Sequence, residues 1–130
     1  MYRYTHQTPC LFCLYTYNCA MFESVQNLPD DTPFLMLNAL WFKPDGGAAM
    51  YKEYLKGALP FVEKYGASAE NISTPQGDIF GDFDADIVFF VRWPNKQAFL
   101  NLVADPDYRK VARLRENAIT KSILAPCLLL

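Results

Sequence analysis

Histidine is almost absent from this sequence: His6 is the single one in 130 residues. A Ser-His-Asp triad needs an imidazole to carry the serine proton, and haem ligation by histidine needs one on the iron. With His6 far from the patterned part of the chain, neither chemistry is available there. The sequence also has no GxSxG elbow, no Walker loop and no GxGxxG turn, so nucleophile-elbow hydrolysis and nucleotide cradling lack their scaffolds. Positive charge is not in excess either. Twelve Lys and Arg face fourteen Asp and Glu, a net charge of −2, whereas a nucleic-acid binder needs surplus cations to displace counterions. The cluster Arg109, Lys110 and Arg113 reads as a solvated helix face, and no nucleic-acid partner is expected. No apolar run approaches the roughly 20 residues that span a bilayer, and no clean signal-peptide cleavage site follows Arg3. The chain is therefore expected to be cytoplasmic and to have no membrane partner.

Cysteine is concentrated at one end. His6, Cys10, Cys13 and Cys19 form an H-x3-C-x2-C-x5-C array with ligand types that zinc accepts. A structural zinc site usually takes its ligands from two separated pairs, and here one CxxC stands alone without a glycine to shape a knuckle. Neither a metal site nor any other cofactor is expected. Cys127 reads as a small hydrophobe. Asp82, Asp84 and Asp86 alternate after Gly81 but lack the rest of a calcium loop.

What the chain has in quantity is apolar and aromatic residues, 52% and 15% of the total. Residues 1–33 show neither helical nor strand periodicity, and they are expected to form an extension, disordered or adventitious, before a domain at 34–126. From Phe34 the elements follow in order. Phe34 to Lys43 reads as an apolar strand. Ala48 to Tyr65 reads as an amphipathic helix with Tyr51, Tyr54, Leu55, Ala58, Leu59, Val62 and Tyr65 on one side. A weaker strand spans Ala67 to Thr74, and a strong one spans Asp86 to Trp93. Asn95 is placed to cap a helix through Val103. Asp105-Pro106 opens a second helix to about Ala118, and Ile119 to Ala125 reads as the last strand. The order is βαββαβ, an α+β ferredoxin-like arrangement.

The two strong strands are apolar on both faces. A sheet with helices on one side and water on the other should alternate apolar with polar. Instead, Leu35, Leu37, Ala39 and Trp41 oppose Phe34, Met36, Leu40 and Phe42. One layer of helices covers one face only, and a monomer rarely leaves such a patch wet. A second copy, sheet against sheet, is the expected cover, which makes the chain a homodimer. The other available cover is the N-terminal extension folded back.

Polar residues inside apolar patterns mark the candidate site. A buried polar group is costly unless paired. Arg115 falls in the stripe of Tyr108, Val111, Ala112, Ala118 and Ile119, so its charge needs a carboxylate (Asp84, Asp86 or Asp105) or a bound anion. Asn38 is the one polar residue within the first strand, and Arg92 the one charge within the third. An amide bonded to nearby backbone, and an arginine stem laid along the sheet, are their structural readings. The hydroxyls of Tyr51, Tyr54, Tyr65 and Tyr108 lie on otherwise apolar helix faces, as core tyrosines with a hydroxyl at the rim do, or, with Trp41 and Trp93, as walls of an aromatic pocket. Apolar walls with a few convergent polar groups describe a small-molecule site. Its expected ligand residues are Asn38, Tyr54, Arg92, Tyr108 and Arg115. Arg115 would anchor a small apolar anion or carbonyl compound, which the protein binds or transforms without a cofactor. The alternative is a non-catalytic dimerisation module whose polar residues satisfy one another.

The run Phe34-Leu35-Met36-Leu37-Asn38-Ala39-Leu40-Trp41-Phe42-Lys43-Pro44-Asp45-Gly46-Gly47 resembles the domain of unknown function 1330 family. So do Tyr51-x-x-Tyr54, Val91 to Leu100, and Ala104-Asp105-Pro106-Asp107-Tyr108 with Arg115 behind it. The likeness covers about residues 33–125. It implies a dimeric α+β barrel, with no defined reaction. The sequence departs from that pattern at Leu114, where a histidine is common, and it keeps only Gly81-Asp82 of a Gly-Pro-rich loop.

Overall fold

A computed structural model describes residues 22–130. The elements are α1 (Glu23–Gln26), β1 (Phe34–Phe42), α2 (Gly47–Lys64), β2 (Ser68–Ser73), β3 (Ile87–Trp93), α3 (Lys96–Ala104), α4 (Pro106–Ala118) and β4 (Ile119–Cys127). The strands form one antiparallel sheet in the order β2-β3-β1-β4, and α2 and α4 lie side by side on one face of it. The fold is α+β and ferredoxin-like. From β1 onward, every element the sequence pattern predicts is present, with bounds shifted by at most two residues.

Local chemistry explains the boundaries. The Asn95 side chain accepts a hydrogen bond from Ala98 N at 2.9 Å and so starts α3. Asp105 Oδ1 accepts from the amides of Asp107 and Tyr108, and Pro106 fills the first position of α4, where no amide is needed. Pro60 lies on the exposed side of α2, and the helix runs through it.

Register assigns each strand residue to a face. Phe34, Met36, Asn38 and Leu40 sit opposite Trp93, Val91, Phe89 and Ile87 and point toward the helices. Leu37 pairs with Phe90 and Ala125, and Ala39 with Val88 and Ile123. These residues, with Leu35 and Trp41, make up the other face, which no helix among the described residues covers.

The stretch before the domain is not wholly separate from it. Residues 22–33 were expected to stand outside the domain, yet Phe22 and Val25 are buried in the core. Phe22 meets Phe99 edge-on, with ring centroids 6.2 Å apart. Lys96 Nζ donates to the carbonyls of Gln26 and Leu28, both at 2.7 Å, which ties down the end of α1. A four-residue helix is too short to show a periodic stripe, so its burial could not be read from pattern. Residues 1–21, including His6, Cys10, Cys13 and Cys19, lie outside the described residues.

Candidate functional site

A cavity of about 200 Å³ lies between the helix pair and the inner sheet face. Its walls are mainly apolar: Met36, Phe89 and Val91 from the sheet, and Leu55, Ala58 and Val62 from α2. The polar residues that reach it are Asn38, Tyr51, Tyr54, Tyr108 and Arg115, and no carboxylate among the described residues lines it. Arg115 projects from α4 as the sequence stripe predicts and is only 8% exposed. Its expected carboxylate partners are engaged elsewhere. Asp84 accepts from Trp41 Nε1 at 2.8 Å, and Asp86 from Phe42 N at 2.7 Å. Asp105 accepts from Tyr65 and Lys64 at 2.7 and 3.1 Å. Among the described residues Arg115 forms no ion pair, and its Nη2 is buried with no hydrogen-bond partner. A buried guanidinium without a counter-ion is an expensive arrangement.

The tyrosines around it are donors. Burial pushes the Tyr51 hydroxyl well above its ordinary pKa, and neighbouring Tyr54 adds to this. The charge of Arg115 and its hydrogen bond to Tyr51 pull the other way. Burial, and then Tyr54, likewise hold Tyr108 protonated. The hydroxyls of Tyr54 and Tyr108 are 2.7 Å apart. Two hydroxyls carry two protons and one bond uses one of them, so the pair keeps a proton to donate elsewhere. Asn38 Nδ2 donates to the carbonyl of Met36 at 3.0 Å, the local backbone bond that such an amide often makes. Glu116 follows Arg115 in sequence but does not line the cavity; burial raises its pKa, against the lowering by Arg115 and Arg113.

The structure thus brings together four of the five expected residues: Asn38, Tyr54, Tyr108 and Arg115. Arg92 is the exception. It faces away from the cavity, where its Nε donates to Glu70 Oε1 at 2.7 Å. On β3, side chains alternate, and Phe89, Val91 and Trp93 take the inner positions. The role of Arg92 as an orienting donor in this cavity is therefore corrected. Of the further aromatic wall residues, Tyr51 and Trp93 line the cavity, whereas Tyr65 and Trp41 do not. Tyr51 lies one helical turn from Tyr54 on the same stripe.

No family model matches the chain, and no curated protein matches it. Solved structures do. A protein of unknown function from Rhodopseudomonas palustris is 24% identical, with a TM-score of 0.81 over 97% of this chain and 98% of that one. A dimeric ferredoxin-like protein of unknown function from Jannaschia is 9% identical, with a TM-score of 0.62 over 75% of this chain and 99% of that one. A dimeric protein of unknown function with a ferredoxin-like fold, from Bacteroides fragilis, is 7% identical. Its TM-score is 0.54, over 78% of this chain and all of that one. Likeness at these identities shows the fold alone.

Proposed function

We propose that this protein is a homodimer that binds a small, mainly apolar carboxylate or carbonyl compound in the cavity beneath α2 and α4. One observation carries the reading: Arg115 is buried at the cavity with no carboxylate partner among the described residues. The cavity is rich in donors and poor in acceptors, so a ligand that brings only acceptors complements it. The guanidinium would take a carboxylate, and the spare hydroxyl proton of the Tyr54–Tyr108 pair would bond a second ligand oxygen. Size limits the choice. A cavity of roughly 150 Å³ holds benzene, so the available space suits a small aromatic or keto acid. The same hydroxyl would polarise a ligand carbonyl, the step on which any cofactor-free conversion here would depend.

Pairing is supported by the apolar sheet face, which no helix among the described residues covers, and by the two dimeric structures of the same fold. The motifs that resemble the domain of unknown function 1330 family fit the same assembly.

Thermal unfolding with a panel of aromatic and keto acids, each beside its neutral amide, tests the reading. Wild type should gain several degrees from at least one acid and nothing from its amide. Arg115→Met should abolish that gain while raising the ligand-free stability by about 1 kcal/mol or more, because a buried unpaired charge is replaced by an apolar chain. A mutant that loses stability without ligand, and wild type indifferent to every acid, would return Arg115 to a structural role.

A further inference from the structure

The connection from β2 to β3 is built like an arm. Its stem is fastened to the end of β1: Asp86 N donates to Leu40 O at 2.8 Å, and Trp41 Nε1 donates to Asp84. The Phe83 ring meets Trp41 edge-on at 6.0 Å. Its tip is closed by Asp78, whose Oδ2 accepts a hydrogen bond from Phe83 N at 3.0 Å. Gly77 and Gly81 flank the tip with φ of 116° and 91°, a backbone that residues with a Cβ rarely adopt. This fastened loop holds two large apolar side chains in the open. Ile79 is 92% exposed and Phe80 93%. An isolated protomer gains nothing from shaping a loop to display them, so the tip is shaped for a surface that covers it.

We propose that the arm at residues 75–84 clasps a second copy of this chain, burying Ile79 and Phe80 against it. Position identifies the occupant. The stem is rooted on Trp41, which belongs to the uncovered sheet face with Leu35, Leu37 and Ala39. The stem therefore adjoins the apolar face through Phe83 and Trp41, which would bring whatever covers the face within reach of the tip. The inference rests on the dimer proposed above and adds the element that holds it closed.

Sedimentation equilibrium on the full chain, wild type beside an Ile79→Ser and Phe80→Ser double variant, tests it. Both side chains are exposed, so the variant should fold with an unchanged circular dichroism spectrum and keep its stabilisation by carboxylates. Its dimer dissociation constant should rise at least about a hundredfold, the effect of exposing two large apolar groups per arm. An unchanged constant would overturn the arm and leave the dimer standing. Wild type that stays monomeric at every concentration would remove the dimer itself, and the arm with it. Binding of wild type to phosphatidylcholine vesicles, lost in the variant while its dimer constant stays unchanged, would give the tip to a membrane instead.

Discussion

On the open face of the sheet Arg92 lies half-exposed and is paired with Glu70 at 2.7 Å. Beneath the helices, on the opposite face, Arg115 is buried and has no carboxylate partner among the described residues. The open face keeps its charges at the margins, with Arg92 and Glu70 toward one side and Lys121 over the Trp41 ring, 4.3 Å from its centroid, toward the other. Its centre, from Leu37 to Phe90, carries no polar group. The covered face does the reverse, placing Asn38, three tyrosine hydroxyls and a guanidinium around a cavity inside its apolar shell. An apolar centre with a charged margin is how protein surfaces pair. An apolar shell around a few donors is how small molecules are held. On the proposed reading one sheet carries two kinds of recognition, separated by a single residue of strand register.

The largest effect should come from charging the open face. Leu37→Asp is expected to raise the dimer dissociation constant by about a thousandfold or more, because pairing would then bury a carboxylate. Light scattering on a dilution series reads this directly. The helices and the cavity lie on the other side, so circular dichroism should be unchanged. A Leu37→Asp protein that still pairs would erase the contrast, since the open face would then serve no partner.

A smaller effect sharpens the covered side. The Tyr65 hydroxyl, followed by Lys64 and the two amides at the start of α4, holds the Asp105 carboxyl down from 3.8 to about 2, although burial pushes it up. Because the folded-state value is depressed, this stabilisation is complete above about pH 4 and is lost as pH falls toward 2. Asp105→Ala should lower stability by about 2 kcal/mol near neutrality through loss of the helix cap and its bonds. It should also flatten the decline of stability between pH 4 and 2. Urea titrations at a series of pH values separate the two proteins. An unaltered slope in the variant would assign acid sensitivity to other carboxylates.

Legibility in the sequence follows from the same physics. β1, β3, α2 and α4 have patterns long enough to fix element and boundary, α2 and α4 show their buried stripe as well, and Asn95 and Asp105 announce their helices by capping chemistry. Arg115 was legible because a charge in an apolar helical stripe contradicts its surroundings. Arg92 was not. Each face of β3 is apolar, so alternation gives no sign of which one the helices cover. Phe22 and Val25 were hidden by brevity. The display of Ile79 and Phe80 was hidden because two apolar residues in a turn-rich loop have no period. Their exposure depends on the Asp78 closure within the loop and on the Trp41 contacts, which join residues about 40 positions apart.

The smallest expected effect is at Arg92, and it is the one that separates the two faces most cleanly. Its pair with Glu70 is partly solvated, with side chains 44% and 34% exposed. Exposed pairs of this kind contribute roughly 0–1 kcal/mol, because water screens the attraction and two long side chains must be held still. Arg92→Ala should therefore change stability by no more than about 0.5 kcal/mol. It should leave the response to carboxylates intact, as read by the same thermal assay as Arg115→Met. The two arginines differ by what surrounds them and not by their chemistry, so matched substitutions isolate the surroundings. If Arg92→Ala abolished ligand stabilisation and Arg115→Met did not, the anion would belong on the open face. The unpaired guanidinium under the helices would then be a charge that the fold merely tolerates.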